Sequence, residues 1–141
     1  MGFFSKKPDR ENYPALGPGN RAAEQLANIQ GCLETLVDEV PDNLEVIPGD
    51  DAAYVFIGKP PKKFGVAWIE GGEIKNFQTV VKENGVQPMV LQGVIDQLRA
   101  TYEKNKDVDR YTTVIHGKTV VVTPSEELEH DVANLIDKIS H

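Results

Sequence analysis

Residues 52–81, AAYVFIGKPPKKFGVAWIEGGEIKNFQTVV, hold two runs of alternating side chains. In the first run Val55 and Ile57 take one side and Tyr54 and Phe56 the other. In the second, Phe64, Val66 and Trp68 alternate with Gly65, Ala67 and Ile69. A period of two is that of an extended chain, whose successive side chains leave opposite faces, so both runs are strands. Gly71-Gly72 supplies the positive φ angles of a two-residue turn, and the segments flanking it are expected to pair antiparallel. Lys59 to Lys63 reads as the loop between the runs, because two consecutive prolines cannot donate to a central ladder.

Working outward, PDNLEVIPGDD is a short extended piece between turns. Before it, Asn20 is placed to cap a helix over residues 21–39, whose apolar residues Leu26, Ile29, Leu33, Leu36 and Val40 recur at spacings of three and four up to Pro41. Downstream, a second helix begins near Pro88 and carries Leu91, Val94, Ile95, Leu98 and Tyr102 on one face. YTTVI and KTVVV, joined by His116-Gly117, form a second hairpin. Thr123-Pro124-Ser125-Glu126 fits a capping box with proline at the first helical position. It opens a last helix with Leu128, Val132, Leu135, Ile136 and Ile139 on its buried stripe. Glu126, Glu127, Glu129 and Asp131 then set negative charge at the positive end of that helix's dipole.

These elements predict an α+β fold: an antiparallel sheet of about five strands with three helices, in the order α-β-β-β-α-β-β-α, the helices packed mainly on one face. Residues 1–19 are expected to form a flexible segment ahead of a single α+β domain over residues 20–141.

A chain of 141 residues, 40% hydrophobic and 26% charged, has the composition of one globular domain. Its net charge of −7 repels phosphate backbones, so nucleic acid is not an expected partner. The single cysteine, Cys32, excludes an internal disulfide, and with no cleavable secretory signal in view a cytoplasmic location is expected.

Catalytic and cofactor signatures are missing from the sequence. It has no phosphate loop, no dinucleotide fingerprint, no nucleophile elbow and no HExxH zinc pair. No catalytic residue, cofactor or metal site is therefore assigned. Glu127 and His130 have the Glu-x-x-His spacing of carboxylate-bridged metal bundles, but a single copy does not make such a site. Trp68, Tyr111 and His116 are the candidates for a small-ligand pocket between the sheet and the second helix. Lys59, Lys62 and Lys63 concentrate positive charge on an acidic protein and are candidates for contact with an acidic partner.

The opening MGFFSKKPDRENYPALGPGN places Phe3 and Phe4 before Lys6, Lys7 and Arg10, with prolines at Pro8, Pro14 and Pro18. Its Ser5 falls one position early for an N-myristoylation signal. Burying two phenylalanines is worth a few kcal/mol at about 25 cal/mol per Å². That suffices for docking on a partner protein or on the domain's own surface, or for weak peripheral contact with a membrane; a terminus without fixed structure is the other reading.

In element order alone, the helix, strands, helix, hairpin, helix arrangement resembles small acidic secretion chaperones and related dimeric α+β binding proteins. The roadblock-type regulatory domains are a second likeness, with fewer strands before their middle helix. The expected function is that of a non-enzymatic accessory or adaptor protein that pairs with a second copy of itself and binds another protein. Its N-terminal segment, Phe3, Phe4, Lys6 and Lys7, would be a supplementary docking element. A small-ligand sensor or small enzyme, and a structural subunit of a larger complex, are the alternatives.

Overall fold

The structure is a computed structural model and describes residues 13–140. Among these, one mixed sheet of six strands is flanked by five helices. The strands are β1 (Leu44–Ile47), β2 (Ala52–Lys59), β3 (Lys63–Glu70), β4 (Glu73–Asn76), β5 (Tyr111–Ile115) and β6 (Lys118–Val122). The helices are α1 (Arg21–Ala27), α2 (Gln30–Glu39), α3 (Phe77–Asn84), α4 (Pro88–Lys104) and α5 (Glu126–Ser140). The spatial order of strands is β4-β3-β2-β1-β6-β5, and every pairing is antiparallel except that of β1 with β6.

The fold differs from the expectation of five strands and three helices in three places. The short LEVI segment is β1, a fully buried interior strand that joins the two hairpin units by pairing with β2 on one side and β6 on the other. The segment after Gly72 extends for four residues and then turns into α3. Asn76 accepts from the Thr79 amide at 3.0 Å while the Thr79 hydroxyl lies 3.3 Å from the Asn76 amide, a reciprocal capping box that starts a helix. The expected helix over 21–39 is two, because Ile29 takes φ −122° and ψ 22°, outside the helical range, and its amide bonds back to Leu26.

Helices cover both faces, against the expectation of one. Tyr54, Phe56, Val66 and Trp68 pack under α3, α4 and α5 with Val94, Leu98, Leu128 and Ile136. Val55, Ala67 and Ile69 pack against α1 and α2 through Leu26, Leu33 and Leu36. The cause lies in the strands, whose two alternating sets are both apolar, so each set needs its own cover. Each fully buried large aliphatic side chain contributes about 1.5–3 kcal/mol.

The last helix is capped two residues later than the sequence suggested. Ser125 accepts from the Leu128 amide at 3.2 Å, which puts Pro124 ahead of the cap. Thr123 is buried and donates its hydroxyl to Glu45 instead. Tyr13 to Leu16, expected within the flexible segment, run along β5: Thr112 donates its amide to Pro14 at 2.9 Å, and Leu16 donates to Thr112 at 2.8 Å.

Candidate functional site

The site grows from a charge buried in the sheet. Glu45 lies on β1, and both it (7% exposed) and Arg110 (8% exposed) are buried. Arg110 Nε donates to Glu45 Oε2 at 2.9 Å, Thr123 Oγ1 donates to the same oxygen at 2.5 Å, and Tyr102 Oη donates to Oε1 at 2.5 Å. Three donors on one carboxylate satisfy it in a place where an unpaired charge would be prohibitive. The Arg110 guanidinium also lies 5.3 Å from the Tyr102 ring centroid and donates to the Lys106 carbonyl at 2.9 Å. Burial opposes its charge, but the Glu45 carboxylate, with Tyr102 and Tyr13 adding to it, outweighs that and holds its pKa above the ordinary arginine value. Burial first, and the Glu45 charge second, push the Tyr102 phenol up, so Tyr102 stays a neutral donor. This network ties β1, α4, the approach to β5 and the end of β6 together.

Beside it, the β2–β3 hairpin closes on Lys59 and Lys63, which are cross-strand partners, with Pro60, Pro61 and Lys62 between them. Arg99 of α4 fixes this loop: its Nε donates to the Pro61 carbonyl at 2.8 Å, and its guanidinium sits 5.6 Å from the Phe64 ring centroid. Arg99 is itself paired with Asp96 at 3.0 Å. Lys59, Lys62 and Lys63 form no ion pair and no side-chain hydrogen bond among the described residues.

Two open clefts adjoin at these lysines and share Asn43, Gly58 and Lys59 as walls. The smaller, about 330 Å³, is lined by Tyr13, Glu45, Lys59, Pro60, Lys62 and Tyr102. The larger, about 810 Å³, is lined by Pro41, Asp42, Ile57, Lys59, Lys63 and Phe64. Each cleft thus combines an apolar wall with a basic rim. The smaller holds one carboxylate already engaged by three donors, and the larger holds Asp42.

A third cleft, about 640 Å³, lies between the starts of α1 and α5 and is lined by Asp50, Glu126, Glu127, Glu129 and His130 among others. Burial pushes the Glu129 carboxyl up, with Asp50, Asp51 and Glu126 adding to it against the pull of His130. Asp50, by contrast, is held low by its hydrogen bonds from Gln25 and Arg21. Glu127 and His130 share this wall, but among the described residues no group of three or more metal-ligating side chains is placed to hold an ion.

Of the predicted site residues, Lys59, Lys62 and Lys63 are brought together, whereas Phe3, Phe4, Lys6 and Lys7 lie outside the described residues. Trp68, Tyr111 and His116 are not assembled. Trp68 is 1% exposed within the core under α3 to α5, and its Nε1 finds no partner among the described residues. Tyr111 and His116 belong to the far edge: β3 and β5 stand four strand positions apart, roughly 19 Å at about 4.8 Å per strand. The space between the sheet and α4 is filled by Phe56, Trp68, Val94 and Leu98. His116 instead bridges to α2, its Nδ1 3.0 Å from Asp38 and its Nε2 3.5 Å from Glu34.

Sequence reasoning missed Glu45, Tyr102, Arg110 and Thr123 as a group. The available signal was a lone charge inside an otherwise apolar strand, LEVI, which demands a buried cationic partner. Among the described residues no helix is long and apolar enough to cross a membrane. Comparison with protein-family models, with curated proteins and with solved structures finds no match to this chain.

Proposed function

We propose that this protein is a non-enzymatic adaptor that binds another protein at the Lys59–Lys63 end of its sheet, with residues 1–12 as a supplementary contact. The observation that carries this reading is the set of three lysines that form no ion pair among the described residues, around two adjoining clefts, on a chain with 22 acidic residues and a net charge of −7. A local concentration of charge of one sign favours encounter with a partner of the opposite sign. The first described residue, Tyr13, lines the smaller cleft. Pairing with a second copy belongs to the same proposal and is read by sedimentation.

Affinity capture from native extract tests the proposal, using the full chain, the chain lacking residues 1–12 and the double variant Lys59→Glu/Lys63→Glu. One near-stoichiometric partner is expected with the full chain, reduced by the truncation and lost with the double variant. A strictly monomeric protein that captures nothing in any form contradicts it.

A further inference from the structure

The chemistry of the partner segment follows from the same end of the sheet, and this inference rests on the adaptor reading. Lys59 and Lys63 face each other directly across the β2–β3 ladder, an arrangement in which like charges oppose pairing. A carboxylate received between them relieves that repulsion. Below the charges, the larger cleft offers Ile57, Phe64 and Pro41, surfaces that accept an apolar side chain. The smaller cleft continues past Lys59 to Lys62 and the Tyr102 ring. An extended chain advances about 3.3 Å per residue and turns alternate side chains to opposite sides, so one segment can present apolar groups to the clefts and carboxylates to their rim. A phosphate polymer or an anionic membrane fits less well. Both carry dense charge against a protein of net −7, and the two clefts themselves contain Asp42 and Glu45.

We infer that the clefts at Lys59, Lys62 and Lys63 receive an extended acidic segment of a partner protein, in which carboxylate side chains alternate with apolar ones.

The test is fluorescence anisotropy of a labelled peptide of alternating glutamate and leucine titrated with the full chain, beside a glutamine–leucine counterpart. The acidic peptide is expected to bind, to weaken with added salt, and to bind about tenfold more tightly than the neutral one. Lys59→Glu/Lys63→Glu is expected to weaken it by at least about tenfold, while the charge-matched Lys82→Glu/Lys138→Glu, on α3 and α5, leaves it as in the wild type. Circular dichroism confirms that each variant is folded.

Equal affinity for both peptides, or no loss in the Lys59→Glu/Lys63→Glu variant, overturns the inference. So does lysine-dependent binding to phosphatidylserine vesicles in place of the peptide. Peptide binding that emerges only after residues 1–12 are removed overturns it too, because the clefts then belong to the chain's own N-terminal segment. If a native partner is captured through the lysines but the peptide does not bind, the acidic-segment inference alone falls. If the peptide binds and no native partner is captured, the adaptor reading is the one that fails.

Discussion

Two hairpins turn at the same end of the sheet, β2–β3 and β5–β6, and they treat their basic residues in opposite ways. In β5–β6, His116 sits between Asp38 and Glu34 of α2, and Lys118 Nζ donates to the Val40 and Asp42 carbonyls at 2.8 and 2.6 Å. Those carbonyls follow the C-terminus of α2, where a cation is favoured by the helix dipole. In β2–β3, the three lysines have no such partners among the described residues, and Arg99 donates to the Pro61 carbonyl between them. The basic residues of the β5–β6 turn are matched by the fold, and those of the β2–β3 turn form no ion pair among the described residues.

The largest expected effect lies beneath the lysine hairpin. Arg110→Met leaves the Glu45 carboxylate buried without its cation and should cost about 3–5 kcal/mol in urea unfolding. A loss below about 1 kcal/mol would show that Tyr102 and Thr123 alone satisfy Glu45, and the network would then not be what holds this side of the site.

A smaller effect is expected at the matched hairpin. His116 has φ 50° in the turn, a conformation that asparagine also tolerates, so His116→Asn keeps the turn and removes the ion pairs. The Asp38 hydrogen bond, together with the Asp38 and Glu34 charges, raises the His116 pKa above its ordinary value of 6.5 despite the opposing effect of desolvation. A raised folded-state pKa stabilises when the imidazole is protonated. The contribution is therefore complete below about pH 6.5 and is lost as pH rises through the folded-state pKa. The stability difference between wild type and His116→Asn should shrink over that window, and a difference independent of pH would remove the ion pairs from the account.

The smallest effect has the opposite sign. Lys59→Glu places a carboxylate directly across the ladder from Lys63 and should raise stability by about 0.2–1 kcal/mol, measured by thermal unfolding. On the proposed function the same change is expected to weaken partner binding, so stability and binding should move apart at this position. A destabilised variant would mean that Lys59 is already matched, and the contrast between the two hairpins would disappear.

The contrast was half legible in the sequence. The two-residue turns at Gly71-Gly72 and His116-Gly117 carry local signals, and both occur with positive φ at each central residue. The lysine loop was equally plain, because its two prolines and its charges are adjacent in the chain. The Asn76–Thr79 capping box was hidden by Phe77, Val80 and Val81, which pass for a strand continuation when the cap is overlooked. Helices on both faces were signalled by apolar residues in both alternating sets of β2 and β3, a pattern that one-sided packing cannot satisfy. The Glu45 network was beyond local reading, since its donors lie 57 to 78 positions away along the chain. Only the parallel pairing of β1 with β6, and the folding of α4 against the sheet, bring those groups together.

On the proposed function the β2–β3 hairpin, and not its β5–β6 neighbour, is the binding end of the molecule. Amide chemical-shift mapping during titration with the glutamate–leucine peptide distinguishes the two ends. Perturbations are expected at Lys59, Lys62 to Gly65 and Asp42 to Asn43, with Ile115 to Thr119 unmoved except where Lys118 meets the Asp42 carbonyl. Perturbations centred on His116, or spread evenly over the surface, would contradict it.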